Sequence, residues 1–449
     1  MSSTQPNVTT KQQVSLADMF RALQYRNYRL FFSGQGVSLI GTWMQQIAIS
    51  WLVYRLTDSV FLLGILGFAS QIPSFLLGSF AGVVSDRFNR HRILIFTQIL
   101  SMLQASVLTY LVLTDTITIH WLIALSAFLG FVNAFDVSAR QAFVVELIEK
   151  REDVSNAIAL NSSMFNMARL VGPSVAGLLI AAVGEGMCFL INAVSYLAVI
   201  ISLLVMRVKP REIPKQEARI WQSLKEGASY VFGFPPIRAI ILLIASISLF
   251  GMPFSVLMPV FARDILHGGA NTLGYLMGAS GIGALLGALY LAQRTSVLGL
   301  GKIIVGATIM LGSGLICFSF TQTLWLALFF IFFTGLGMIV QMASNNTILQ
   351  TIADDDKRGR VMSFYSMAFL GMAPFSSLLA GAVADRIGVA YTLLGCGICC
   401  LLSIIPFALQ LPALRQMVRP IYQRLGIIPQ VATGLQSASG LNHPPEKQA

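Results

Sequence analysis

Residues 59–92 read SVFLLGILGFASQIPSFLLGSFAGVVSDRFNRHR. Between Asp58 and Asp86 no side chain is charged, and Asp86 opens a turn that holds Arg87, Arg90 and Arg92. A helix needs roughly 20 apolar residues to cross a bilayer. A longer uncharged run closed by arginines therefore reads as a span that ends at an anionic leaflet. The expected form is a helix, because an open sheet edge would leave backbone groups unpaired in lipid.

The pattern repeats on both sides of that stretch. Uncharged or nearly uncharged runs cover 30–54, 93–114, 121–135, 154–184 and 187–206, then 239–262, 273–293, 303–321, 324–344, 361–384 and 389–411. The expectation is an all-α membrane protein with twelve transmembrane helices in two six-helix halves. The halves span 30–206 and 239–411. A polar N-terminal lead (1–29), a central loop (207–238) and a tail (412–449) remain outside the bilayer. Pro210, Pro214, Pro235 and Pro236 keep the central loop from being one continuous helix. Gly172-Pro173 in the fifth span and Ala373-Pro374 in the eleventh echo each other, as duplicated halves of a transporter would.

Composition agrees with this reading. Of 449 residues, 55% are hydrophobic and 11% charged, against about 25% charged in soluble domains. Mean hydropathy is +0.74. A soluble cytosolic enzyme is excluded. The formal charge of +11 does not call for nucleic acid, because its distribution is that of a membrane protein. With the N-terminus inside, all but four of the 30 Lys and Arg fall in inside segments; the exceptions are Arg55, Arg263, Arg386 and the mid-span Arg169. This bias predicts a multi-pass protein of the cytoplasmic (inner) membrane with both termini cytoplasmic. The first twenty residues have no apolar core or cleavage site, so no secretory leader is expected.

Several chemistries lack their residues. Gly301-Lys302 has neither the upstream glycine nor the following Ser/Thr of a phosphate-binding loop, which argues against an ATP-driven pump. Cys188, Cys317, Cys396, Cys399 and Cys400 sit inside apolar spans, and the group Cys396, Cys399 and Cys400 has no His or acid close in sequence, so they read as small apolar residues rather than metal ligands. No metal, cofactor or enzymatic activity is expected.

Gly78 and Gly82 lie four apart before the Asp86 turn and permit another helix to approach closely. Gly82, Asp86, Arg87 and Arg90 with Asn89, His91 and Arg92 resemble the major facilitator signature G-x-x-x-D-R-x-G-R-[RK]. Asn89 replaces a glycine and His91 a basic residue. The resemblance implies a gating latch on the cytoplasmic side. In it Asp86 faces the start of the eleventh helix, and the arginines reach an acid at the end of the fourth helix, where Asp136 stands one turn before Arg140. Gly172, Pro173 and Gly177 resemble the fifth-helix kink motif of family exporters and antiporters, with Ala176 in place of one glycine. Together with Asn161, Ala168, Arg169, Gln141 and Ala142, these residues resemble the branch of bacterial enterobactin exporters and related efflux carriers.

Arg169 lies ~22 Å along the helix from either end of its run. Ser162, Asn166, Arg169 and Pro173 share one helix face. Two readings stand: Arg169 binds an anionic or strongly hydrogen-bonding substrate, or it is a structural cation tied to carbonyls. Ser162, Asn166 and Arg169 are the expected substrate-binding face. Gln45, Asn133 and Gln341 join them because the family's first, fourth and tenth helices line the pathway. No acid or His occupies a mid-span position, so the proton coupling that the resemblance implies has no evident carrier. The expected function is a monomeric secondary transporter that exports small siderophore-like or drug-like molecules by alternating access, with protons as coupling ion. An uptake carrier, or a non-transporting scaffold or receptor on the same fold, are the alternatives.

Overall fold

The computed structural model describes residues 20–208, 220–294 and 296–428. The described residues are helical, with no strand among them. The first half consists of α1 (Arg26–Thr57), α2 (Val60–Arg87), α3 (Arg90–Leu113), α4 (Ile119–Glu146), α5 (Arg151–Val183) and α6 (Glu185–Val205). A short helix, α7 (Ile220–Gly233), follows. The second half consists of α8 (Pro235–Gly251), α9 (Phe254–Val260), α10 (Ala270–Ala292), α11 (Leu300–Ser319), α12 (Leu324–Ile352), α13 (Arg358–Leu370), α14 (Ala373–Ile387) and α15 (Val389–Arg424). Here α8 with α9, and α13 with α14, each make one broken span.

By length and composition, 11 of these spans are apolar enough to cross a membrane. The remaining one, α1, is long enough, but Gln35, Gln45 and Gln46 dilute its hydropathy. It keeps its place by packing against α5 and α6. Within the second half, α10, α11 and α12 pack together and α15 packs on α8 and α11. The halves meet along two seams, α5 on α10 and α2 on α14.

Helix ends differ from the sequence expectation where charge stopped the reading too early. The fourth span does not end at 135. Its helix runs to Glu146 because Ala139, Phe143 and Val144 continue a buried stripe, with Phe143 edge-on to Phe31 at 6.0 Å. The charges there neutralise each other: Arg140 lies 3.3 Å from Asp136. The helix of the last span continues past 411 to Arg424 through Pro412 and Pro420. The central loop contains α7, and the seventh span starts at Pro235 rather than 239. Residues 1–19 of the lead, 209–219 of the central loop and 429–449 of the tail lie outside the described residues.

The Gly-Pro echo holds only in part. Pro173 sits inside an unbroken α5. In the other half Gly371 and Met372 interrupt the helix, and Ala373-Pro374 opens the next segment. The seventh span breaks before Phe254 and ends in a π-helical turn, Phe261–Ile265. Such turns concentrate at functional sites.

Candidate functional site

The two ends of the bundle are built differently. At the end carrying Asp58, Glu185 and Asp264 (the acidic end), the halves are sealed. A Cβ on Gly177 would lie 2.6 Å from the Gly274 Cα, and one on Gly64 would lie 2.9 Å from the Gly381 Cα. Only glycines permit backbones to meet so closely. Further in, Phe375 of α14 packs edge-on against Phe68 at 6.1 Å and Phe75 at 6.0 Å, and Gln71 donates to Ser377 at 3.4 Å.

A polar clasp closes this end. Asp58, at the C-terminus of α1, adopts a left-handed conformation (φ 48°), which an aspartate tolerates better than most residues. Arg263, on the π-helical turn of the other half, donates to the Asp58 carboxylate at 2.6 Å and to the Tyr54 carbonyl at 3.4 Å. Its guanidinium lies over the Tyr54 ring, 5.4 Å from the centroid. The Tyr54 hydroxyl donates to Asp264. Sequence reasoning saw these four residues only as end-of-span charges and an aromatic. The π-helical turn that turns Arg263 and Asp264 toward α1 has no signal in a hydropathy pattern.

At the other end, which carries most arginines (the basic end), the seam opens. A Cβ on Gly78 or Gly82 would meet nothing within 4 Å. Here α4 and α12 do not pack on each other. The bundle is therefore open toward the basic end and shut at the acidic end.

Arg169 faces that opening. The flanks of α5 are covered on one side by α1, where Gly172 meets Trp43 and Ile40, and on the other by α10, where Leu170 meets Gly281 and Gly177 meets Gly274. Of the two remaining faces, one presents exposed Met167 and Leu178, as a lipid-facing surface does. The other presents Ser162, Asn166 and Arg169. Ser162 and Asn166 are satisfied within the helix, donating to the Ile158 and Ser162 carbonyls at 2.9 Å each. Half-buried Arg169 has no hydrogen-bond or ion-pair partner among the described residues. An intramembrane guanidinium without a partner is expensive, so it calls for water or an anion in the opening.

The other expected cavity residues divide. Gln45 is buried, donating to Gln104 at 3.0 Å and accepting from Asn192 at 2.8 Å. It ties α1, α3 and α6 together and does not face the opening. Its neighbour Gln46 is exposed and lies about 80° around α1 from Tyr54, the residue that meets the other half. The signal was present: Gly41, Gln45, Ala48 and Leu52 form one buried stripe, which leaves Gln46 on another face. Gln341 is also buried, 2% exposed, inside the second half, with its Nε2 unpartnered among the described residues. Asn133 is half-buried.

The residues expected to form a latch stay within the first half. Arg90 donates to Asp86 at 2.6 Å, to Glu146 at 2.7 Å and to the Ser85 carbonyl at 3.1 Å. The acid of α4 that Arg90 reaches is thus Glu146 and not Asp136, because the ten extra residues of helix carry Glu146 to the level of the α2–α3 turn. Asp136 is buried, accepting from Thr97 at 3.0 Å and Gln98 at 2.8 Å beside Arg140. Asp86 and Arg87 are exposed, with Asp86 turned to its own loop and not to α13. His91 donates from Nε2 to the Leu203 carbonyl at 2.8 Å and stacks on Phe143. Two phenols at this end are pushed above the ordinary 10.0: Tyr25 by its hydrogen bond to Asp153, and Tyr230 by burial. Both remain donors at neutral pH. Among the described residues no group of three His, Cys, Asp or Glu is placed to hold a metal.

Comparison with known proteins places the architecture. A family model described as "Transmembrane secretion effector" matches residues 17–440. The chain is 27% identical over 384 residues to a staphyloferrin A transporter of Staphylococcus aureus, covering 84% of this chain and 95% of that protein. It is 26% identical over 394 residues to the multidrug efflux pump Tap of Mycolicibacterium fortuitum, covering 86% and 94%. Among solved structures, a bacterial homologue of the iron transporter ferroportin in an inward-facing state superposes with a TM-score of 0.66 at 16% identity, covering 85% of this chain and 98% of the other. An inward-facing, unoccupied bacterial homologue of the lysosomal transporter Spinster gives 0.64 at 14%, covering 86% and 96%.

Proposed function

We propose the following for a chain that belongs to the transmembrane secretion effector family of major facilitator carriers: it exports a small, anionic organic molecule of the metal-chelating or drug-like kind from the cytoplasm. It is a multi-pass membrane transporter and not an enzyme. In this reading it resides in the cytoplasmic membrane as a monomer, with the basic end and both termini inside, and the open state described above receives cargo from the cytoplasm. The observation that carries the reading is the partnerless Arg169 on the face of α5 that looks into the opening. A guanidinium offers a planar fork of donors that fits a carboxylate or phenolate. Export is supported by the Gly172-Pro173-Gly177 segment, and a chelating acid as cargo by the name of one relative, a staphyloferrin A transporter.

Transport follows from rocking of the halves about the two seams. Cargo enters from the basic end and pairs with Arg169. Asp86, Arg87 and Arg90 then meet the start of α13 as that end closes, while the clasp of Tyr54, Asp58, Arg263 and Asp264 releases. Proton antiport is part of the proposal on the family resemblance, with the clasp acids as carriers. The test compares the medium and cytosol of cells with and without the protein, then assays the differing compounds in everted vesicles. Export predicts uptake into everted vesicles that an imposed pH gradient drives and a protonophore stops. Uptake that is insensitive to both removes proton coupling, and equal internal levels in the two strains overturn export.

A further inference from the structure

The basic end of the first half contains a cleft of about 510 Å3 at the ends of three spans, lined by Tyr25, Arg26, Asn27, Glu149, Lys150 and Arg207 among others. Arg26 is the first residue of α1, Lys150 precedes the first residue of α5, and Arg207 stands two residues beyond the end of α6. These are the levels at which helices leave the hydrocarbon, so the cleft lies at headgroup depth.

The cleft is built and held. The Asn27 side chain donates to the Arg207 carbonyl at 3.0 Å and accepts from the Arg207 N–H at 3.3 Å, which fixes that backbone as one wall. Arg26 reaches the Val205 carbonyl at 3.4 Å. Tyr25 is anchored by its hydroxyl on Asp153 at 2.7 Å, and Arg21 lies 2.6 Å from the same carboxylate. Three cations are thus gathered with one carboxylate, Glu149, and none of the four forms an ion pair among the described residues. Elsewhere in the first half's basic turns Arg21, Arg90 and Arg140 each have an acid, while Arg29, Arg87, Arg92 and Arg151 also lack one among the described residues but do not line this cleft. Holding like charges together is unfavourable unless an anion joins them, and an arginine fork with a lysine suits phosphate.

We propose that this cleft is a binding site for the phosphate of an anionic lipid headgroup, which ties the ends of α1, α5 and α6 together. Basic pockets on the cytoplasmic side of membrane helices favour such lipids, and the leaflet supplies them at high local concentration. The site lies outside the opening that holds Arg169 and depends on neither cargo nor direction of transport.

The test uses the purified full-length protein in nanodiscs of phosphatidylcholine with one-fifth phosphatidylglycerol. Lipids that remain bound are counted by native mass spectrometry, and melting is followed in both lipids and in detergent with inorganic phosphate. The variant combines Arg26→Gln, Lys150→Gln and Arg207→Gln; Asn27 grips Arg207 through its backbone, so the wall survives these changes. The control carries Lys302→Gln with Arg415→Gln in the second half. The wild type and the control are expected to keep one phosphatidylglycerol in preference to phosphatidylcholine, and the triple variant to lose that adduct about ten-fold. Equal retention by wild type and triple variant overturns the site. A melting shift in wild type with inorganic phosphate alone, with no lipid preference, overturns the lipid and assigns the cleft to a soluble phosphate.

Discussion

A lone guanidinium in the middle of a span costs about 2.5–3.5 kcal/mol on insertion scales, less whatever water and ligand return. Arg169 bears this cost without a partner among the described residues, whereas Asp136 is fully supported by Thr97, Gln98 and Arg140. The two charges therefore give opposite expectations. Arg169→Ala should leave expression and folding intact and reduce transport at least ten-fold, equivalent to about 1.4 kcal/mol of lost interaction. Arg169→Lys should recover part of it, because an ammonium keeps the charge and loses the fork. Wild-type transport by the alanine variant would make Arg169 a structural cation. Asp136→Asn should instead lower the melting temperature, since Arg140 loses its counter-charge, at a cost of about 1–3 kcal/mol. An unchanged melting curve would separate Asp136 from the stability of the first half. Arg169 was legible in the sequence because it was alone in an uncharged run; the neutral partners of Asp136 come from α3, some forty residues away, and spacing does not reveal them.

Tight helix seams decide how elements can move. The α5–α10 contact is backbone against backbone, with Gly177 facing Ala270 and Gly274. Gly177→Leu should hold the acidic end apart and reduce transport ten-fold or more at normal membrane levels, with Gly177→Ala milder. Full activity of the leucine variant would show that this end does not need to close as tightly as here. Most spans were legible from charge-free length alone, since the bilayer imposes it. What hydropathy hid was the length of helix beyond the bilayer. The α4 helix runs ten residues past Asp136, and that extension hands the Arg90 contact to Glu146. The same reasoning explains the misplaced Gln45. Adjacent glutamines point about 100° apart on a helix, so only one of the pair could face the opening, and the buried stripe of small residues claims Gln45.

For the whole molecule, the balance between its two open states rests on what joins the halves at each end. Between described residues, the hydrogen bonds and ion pair that cross from one half to the other lie toward the acidic end: Gln71 to Ser377, Arg263 to Asp58 and Tyr54, and Tyr54 to Asp264. The latch residues at the basic end are turned to their own half. The separation of a basic from an acidic end was readable from the arginine bias, but the conformation was not, because a sequence encodes both closures and the structure holds one. The clasp is accordingly a bias on a two-state equilibrium. The Arg263–Asp58 pair is partly exposed, 39% and 71%, and such pairs contribute about 0.2–1 kcal/mol. Arg263→Gln should thus shift the population toward the state open at the acidic end by up to about five-fold, and Asp58→Asn should do likewise. The double variant should add little beyond either one, because each removes the same contact. In a background with its native cysteines replaced, Ser59→Cys beside the clasp should react proportionally faster with an impermeant maleimide when either residue is changed. Identical labelling rates in all four proteins would mean that the glycine seams alone set the closure and that the clasp is a bystander.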